Sequence, residues 1–321
     1  MGVATLYIKP AFEAKPLAPL PGLGHEVPMH EPLPRLRRSV LYVPASNEKA
    51  LMKSASLPCD AVIYDLEDAV GPEEKTAARE RLRGFLTGPS RPRCEVVVRI
   101  NPLLSEWGTE DLLATRAARP DAILLPKVDG PRDVLDADAA LDETDAPRSI
   151  RLWVMIETAR AVLNVGAIAE LGRDPAARLS CLVAGTNDLA KETRVADRQN
   201  LKPWLMQVVL AARAGNVTAL DGVSNDFRDL NAFGHECAEA RAMGFDGKTL
   251  IHPAQIGPAN SVFSPTANEI AEAEAIVAEF AKPENRHRGV IAMKGRMVER
   301  LHLEQAEALI KKASKIEEKG E

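Results

Sequence analysis

The sequence predicts an α/β fold, a (β/α)8 barrel flanked by a proline-rich amino-terminal arm and a helical carboxy-terminal extension. Three observations carry that expectation. From Arg38 onward, short runs rich in Val, Ile and Leu alternate with Ala/Leu/Arg/Glu stretches of helical character, the rhythm of strand-helix units around a parallel sheet. Eight such runs can be counted, at 39–44, 61–68, 95–101, 122–128, 151–157, 179–188, 217–223 and 248–253, and eight units close a barrel of this kind. The chain has 321 residues, 45% of them hydrophobic, enough for one large core.

Taken in order, residues 1–34 contain Pro10, Pro16, Pro19, Pro21, Pro28, Pro32 and Pro34 and no sustained period, which reads as an extended arm. The barrel is expected over 35–258 and the extension over 259–321. The extension comprises a helix at 265–281, a basic glycine-containing connector at 285–296 and a second helix at 301–315. It is surplus to the barrel, and a segment of this kind serves as a lid or subunit-exchange element. The net charge of −5 provides no basic field, so nucleic acid and anionic membranes are not expected partners. Cys59, Cys94, Cys181 and Cys237 are far apart in sequence, which fits reduced thiols in a reducing cytoplasm better than a disulfide framework or a zinc site. No window has the length and apolarity of a membrane span, and the amino terminus lacks the charged-then-apolar pattern of a signal peptide.

In such barrels the chemistry lies at the carboxyl ends of the strands, where the loops are free to vary. The polar residues ending the eight runs are Glu67, Asp68, Arg99, Lys127, Glu157, Asp188, Asp221 and His252. Two segments stand out, Leu152-Trp-Val-Met-Ile-Glu157 and Cys181-Leu-Val-Ala-Gly-Thr-Asn-Asp188, because each apolar run ends in one acid. Two neighbouring carboxylates at one rim suit a hard divalent cation, with water and substrate oxygens completing the shell. The alternative is that both acids cap the helices that follow. Arg99 would project over the same rim, and Glu67 and Asp68 could orient it, support the metal waters, or pair with Lys75 or Arg79. His252 is either an acid/base group or a structural histidine before Pro253. Gly247-Lys-Thr249 is not a phosphate loop, because that motif needs a glycine where Ala242 stands.

Read together, Arg38-Ser-Val-Leu-Tyr-Val-Pro-Ala, Asp65-Leu-Glu-Asp-Ala-Val70, Arg99-Ile-Asn-Pro, Met155-Ile-Glu-Thr and Gly247-Lys-Thr-Leu-Ile-His-Pro-Ala-Gln-Ile256 resemble the citrate lyase β-subunit-like (HpcH/HpaI aldolase) superfamily. The resemblance is greatest to its malyl-CoA lyase and citryl-CoA lyase branch. It implies a TIM barrel, a Mg²⁺ ion that Mn²⁺ can replace, a CoA thioester and a 2-oxo acid as substrates, and a homotrimer or homohexamer. Glu157 and Asp188 match the family's metal-ligand positions. Arg99 matches an arginine that stabilises charge on the reacting carbonyl, with Glu67 beside it. Arg38 and Lys53 match basic positions that meet CoA phosphates, although the turn Pro44-Ala-Ser-Asn-Glu-Lys49 lacks one expected arginine. The branch places an aspartate of a Gly-x-Met-Ile-Asp pattern in the neighbouring subunit's site. This chain has Gly295-Arg-Met-Val-Glu299, one methylene longer, so Glu299 is either the acid/base or an ordinary helix-start acid. The implied activity is a Mg²⁺-dependent acyl-CoA lyase that cleaves or forms the C–C bond of a malyl-CoA-type thioester. The alternatives are thioester hydrolysis on the same scaffold, a CoA-independent pyruvate-type aldolase, and a noncatalytic subunit.

Overall fold

The structure, a computed structural model, describes residues 35–320; the expected proline-rich arm lies outside the described residues. Eight parallel strands close the barrel in chain order. They are β1 (Ser39–Pro44), β2 (Ala61–Asp65), β3 (Glu95–Arg99), β4 (Ala122–Leu125), β5 (Arg151–Ile156), β6 (Leu179–Ala184), β7 (Thr218–Asp221) and β8 (Gly247–Leu250). Closure is made by β1 on β8, with Val40 opposite Thr249.

Strand parity divides the apolar residues into two cores, as a barrel requires. Val40, Ile63, Val97, Leu124, Trp153, Met155, Val183 and Leu220 fill the interior. Leu41, Val62, Val96, Ile123, Leu152 and Leu182 pack outward under the helices. Most strands stop earlier than the apolar runs suggest. β2 ends at Asp65 rather than Asp68, and β4 ends at Leu125, where Pro126 has no N–H for the ladder.

The helices are α1 (Glu48–Ser54), α2 (Lys75–Thr87), α3 (Gly108–Ala118), α4 (Pro131–Glu143), α5 (Ala159–Glu170), α6 (Thr186–Thr193), α7 (Lys202–Ala214), α8 (Leu230–Met243) and α9 (Ile256–Phe263). The short α6 is an insertion after β6, and α7 makes the return to β7. The eighth return helix is α9, so the barrel runs to Phe263 and the expected boundary at 258 falls inside that helix.

Beyond it, α10 (Ala267–Ala281) and α11 (Arg300–Glu318) pack together. Thr266 caps α10, its Oγ1 accepting from the Glu269 N–H at 3.2 Å. Glu269 also accepts from Arg241 at 2.7 Å, fastening α10 to the end of α8. The connector expected at 285–296 gives way to a hairpin that runs past its end, β9 (Val290–Met293) and β10 (Arg296–Glu299). Its turn places Lys294 at φ 50° and Gly295 at φ 75°, the two left-handed residues that a tight hairpin needs. Phe280, Ile291 and Val298 form its small core.

The amino-terminal rim is closed by ion pairs. Arg37 binds Glu95 at 2.8 Å and lies 4.6 Å over the Trp153 ring. Arg38 binds Asp60 through two 2.8–2.9 Å contacts from Nε and Nη2, and Lys319 from the end of the extension reaches the same carboxylate at 2.6 Å.

Candidate active site

A cavity of about 360 Å³ opens at the carboxyl ends of the strands. Tyr42, Asp65, Arg99, Met155, Glu157, Gly185, Asp188 and Thr249 line it. Its centre is Arg99, the last residue of β3 and the register partner of Asp65 at the end of β2. Arg99 Nε and Nη2 donate to the two Asp65 oxygens at 2.7 and 2.5 Å, a charge-assisted fork that fixes the guanidinium plane. The Asp65 oxygens also accept from the Glu67 and Ala69 N–H groups at 2.9 and 3.1 Å. Glu67 and Asp68 approach Arg99 Nη1 at 2.8 and 3.3 Å, and the Tyr42 ring lies 5.1 Å from the guanidinium carbon. Burial opposes the charged form of Arg99, but Asp65 outweighs it and holds the pKa well above the ordinary value.

Glu67 behaves differently from its neighbours. Burial pushes its carboxyl up to about 8 against the pull of Arg99, and the charges of Asp68 and Glu157 add to the rise. A group with that value holds or releases a proton near neutrality. Neither Lys75 nor Arg79 pairs with Glu67 or Asp68 through their side chains, as sequence allowed. Lys75 Nζ donates to the Leu66 and Glu67 carbonyls and to Asn101, and Arg79 binds Asp111 at 2.7 Å.

Glu157 follows β5 directly and is fully buried. It does not cap α5, because Thr158 does so through a 2.9 Å bond from the Ala161 N–H. Instead Glu157 Oε1 accepts from the Lys127 N–H at 2.7 Å, whereas Oε2 is buried with no hydrogen-bond partner. Burial raises the Glu157 pKa, partly offset by Lys127. Asp188 stands in the first turn of α6. Lys127 Nζ lies between the two acids, 2.9 Å from Asp188 and 3.5 Å from Glu157. Burial would lower the Lys127 pKa, but Asp188 and Glu157 outweigh it and raise it. The Lys127 backbone is left-handed, at φ 50°, an unfavourable conformation for a lysine and one found at functional positions. Gly185 completes the wall: a Cβ there would lie 2.3 Å from Glu157 Cβ and 2.8 Å from Oε2.

These features fit a divalent cation. A buried carboxylate oxygen lacks a partner, a second carboxylate faces the same ammonium, and all the donors are hard oxygens. Among the described residues, no group of three or more His, Cys, Asp or Glu side chains is placed to hold a metal. Two carboxylates suit Mg²⁺, which completes its shell with water and substrate oxygens, better than structural zinc with its closed nitrogen and sulfur shell.

The remaining expected site residues lie elsewhere. Arg38 precedes β1 at the amino-terminal rim, is 1% exposed and is engaged with Asp60 and Ser264. Lys53 is exposed in the last turn of α1 and does not line the cavity. Glu299 ends β10 and is the N-cap residue of α11. It is exposed, its backbone N–H donates to His302 Nδ1 at 2.9 Å, and it is absent from the lining of its own chain's cavity. His252 takes the structural role: Nδ1 accepts from the Ala254 N–H at 3.1 Å, and the ring stacks on Phe227 at 4.6 Å. Asp221 is buried beneath Lys248 and Arg198. Two contributors went unassigned by sequence reasoning, Asp65 and the role of Lys127; the Asp65-to-Arg99 register was the available signal for the first.

Residues 38–253 match the model of the HpcH/HpaI aldolase/citrate lyase family. The chain belongs to that family. It is 46% identical over 282 residues to a (3S)-malyl-CoA thioesterase of Cereibacter sphaeroides, covering 87% of this chain and 95% of that one. It is 33% identical over 296 residues to the mitochondrial citramalyl-CoA lyase of Rattus norvegicus, covering 88% of each. Among solved structures, the CitE protein of Mycobacterium tuberculosis in complex with magnesium, acetoacetate and coenzyme A aligns with a TM-score of 0.69 and 29% identity, over 86% of this chain and 97% of that one. In this family member no helix among the described residues is long and apolar enough to cross a membrane.

Proposed function

We propose that the protein acts on a malyl-CoA-type thioester at the Arg99, Glu157 and Asp188 cavity, and that its reaction is hydrolysis of the thioester. The observation that carries the site is the buried, unpartnered Glu157 Oε2 on a carboxylate whose Oε1 faces the same ammonium as Asp188, beside a clamped arginine. The choice of hydrolysis rests on similarity. Identity reaches 46% to a malyl-CoA thioesterase, against 33% to a citramalyl-CoA lyase at comparable coverage.

Glu157 and Asp188 would hold Mg²⁺, or Mn²⁺ in its place. When bound, such an ion supplies Lewis-acid polarisation of a substrate carbonyl or carboxylate. Arg99, its plane fixed by Asp65, lines the cavity and stabilises negative charge developing on the thioester oxygen. Glu67 is the nearby proton holder, able to take a proton from water and return it to the departing thiol. Tyr42 and Met155 give the cavity an apolar floor that strengthens these interactions. With Arg38 engaged at the far rim, the CoA phosphates fall to Lys49, in the first turn of α1, and Arg81, which already reaches the Ala45 and Ser46 carbonyls after β1. Glu299 acts in a neighbouring subunit of a homotrimer or homohexamer.

Carbon–carbon cleavage is the second reading, favoured by the family's lyases and by a carboxylate retained at Glu299. The test is purified protein with Mg²⁺ and (S)-malyl-CoA, following free thiol and glyoxylate in the same tube with an EDTA control. Thiol without glyoxylate is expected. Glyoxylate without thiol assigns the lyase, and neither product overturns malyl-CoA as substrate.

A further inference from the structure

Two hydrogen-bond donors in the cavity converge on one poor acceptor. Tyr42 follows Val40 on the inner face of β1, and its hydroxyl donates to Met155 Sδ at 3.9 Å. Arg99 Nη1, which also meets Glu67 at 2.8 Å, donates to the same sulfur at 3.7 Å. All three side chains line the cavity. A thioether is a weak acceptor, so neither donor is well satisfied by it. Among the described residues the Tyr42 hydroxyl has no other hydrogen-bond partner.

We propose that Tyr42 is a further catalytic residue, whose hydroxyl joins Arg99 Nη1 in donating to the thioester carbonyl oxygen of the substrate, the Met155 thioether holding that place until substrate displaces it. The inference rests on the thioester reading of the cavity and adds a second donor to it. Methionine suits a displaceable partner, because its unbranched chain and soft sulfur adapt at small cost. An oxygen gaining negative charge accepts far better than sulfur, and donors already turned toward one point need little reorganisation as that charge grows. The same oxygen gains charge in hydrolysis, as the tetrahedral intermediate forms, and in carbon–carbon cleavage, as the thioester enolate forms, so the role of Tyr42 is common to both reactions. The phenol donates without giving up its proton, since burial raises its pKa against the pull of Arg99. Folding alone gives little reason for the hydroxyl: partial burial of an O–H against a thioether returns less than its desolvation costs.

Tyr42→Phe provides the test, because it keeps the ring and its contact with Arg99 and removes only the hydroxyl. In the full-length protein with Mg²⁺, thiol or glyoxylate release from (S)-malyl-CoA should show kcat lowered about 10²-fold, KM changed by less than about threefold, and Tm at or above the wild-type value. Titration with two stable ligands isolates the contact: acetyl-CoA, which has the carbonyl oxygen, and S-ethyl-CoA, a thioether that lacks it. The variant should bind acetyl-CoA about 3–10-fold more weakly and S-ethyl-CoA as well as the wild type does. Unchanged kcat with unchanged affinity for both ligands, or equal weakening toward both, would overturn the role of Tyr42 and leave the thioester reading standing. A wild type that binds neither ligand and releases no product would overturn the thioester reading and the role of Tyr42 together.

Discussion

Replacing Lys127 with methionine removes the cation that sits 2.9 Å from Asp188 and 3.5 Å from Glu157, and its effect on metal binding can be worked from the structure. A divalent ion held by those acids must displace the ammonium, so part of its binding free energy is spent on breaking two ion pairs. The Lys127 side chain is 33% exposed and Glu157 is 0% exposed, which places the interaction between a surface pair, worth about 0.2–1 kcal/mol, and a buried one, worth about 3–5 kcal/mol to break. Roughly 1–2 kcal/mol is the intermediate value, so Lys127→Met should bind Mg²⁺ about 5–30-fold more tightly. The left-handed backbone at this position is unchanged by the substitution, which keeps the comparison clean. Isothermal titration with Mg²⁺ at fixed pH measures the difference, and the rise in Tm with Mg²⁺ concentration provides a second readout. Equal or weaker binding by the variant would refute the claim that the lysine and the metal compete for one place.

Arg99→Lys keeps the charge but loses the fork to Asp65, and should lower kcat by about 10²–10³-fold with a smaller change in KM, as steady-state thiol release would show. Gly185→Ala places a Cβ 2.3 Å from Glu157 Cβ, so the displaced carboxylate should weaken Mg²⁺ binding at least about tenfold by titration, a distortion of the kind known to be costly. Glu269 gains from the Thr266 cap and Arg241, which lower its pKa to about 2. A carboxylate lowered in this way stabilises the fold above the ordinary Glu value of about 4.5 and loses that contribution as pH falls toward about 2. Glu269→Gln should therefore lower Tm at pH 7, and the gap to wild type should narrow between pH 4.5 and 2; a gap independent of pH counts against the assignment.

The barrel was legible because apolar runs and helical stretches alternate eight times, a pattern that survives errors of several residues at each strand end. The same errors obscured the site. Extending the second run to Asp68 directed attention to Glu67 and Asp68, when the strand ends at Asp65 and its ladder partner is Arg99. The rim position of Glu157 was readable because it follows its strand directly, and that of Asp188 because it is the first acid past β6, four residues after the strand. The place of Lys127 depends on a left-handed backbone after Pro126 that no periodicity reveals. The rim on which Arg38 lies follows from strand direction alone. A residue before a barrel strand, or in the last turn of a return helix, belongs to the amino-terminal rim. The hairpin at Lys294-Gly295 carried a turn signal that the surrounding basic residues outweighed in the reading as a connector.

The most direct measurement of the central claim is Mn²⁺ binding followed by electron paramagnetic resonance on the wild type, Glu157→Gln, Asp188→Asn and Arg99→Lys, without substrate. One bound ion per chain is expected in the wild type and in Arg99→Lys, with its loss or strong weakening in each carboxylate variant. Undiminished binding in both carboxylate variants would contradict it.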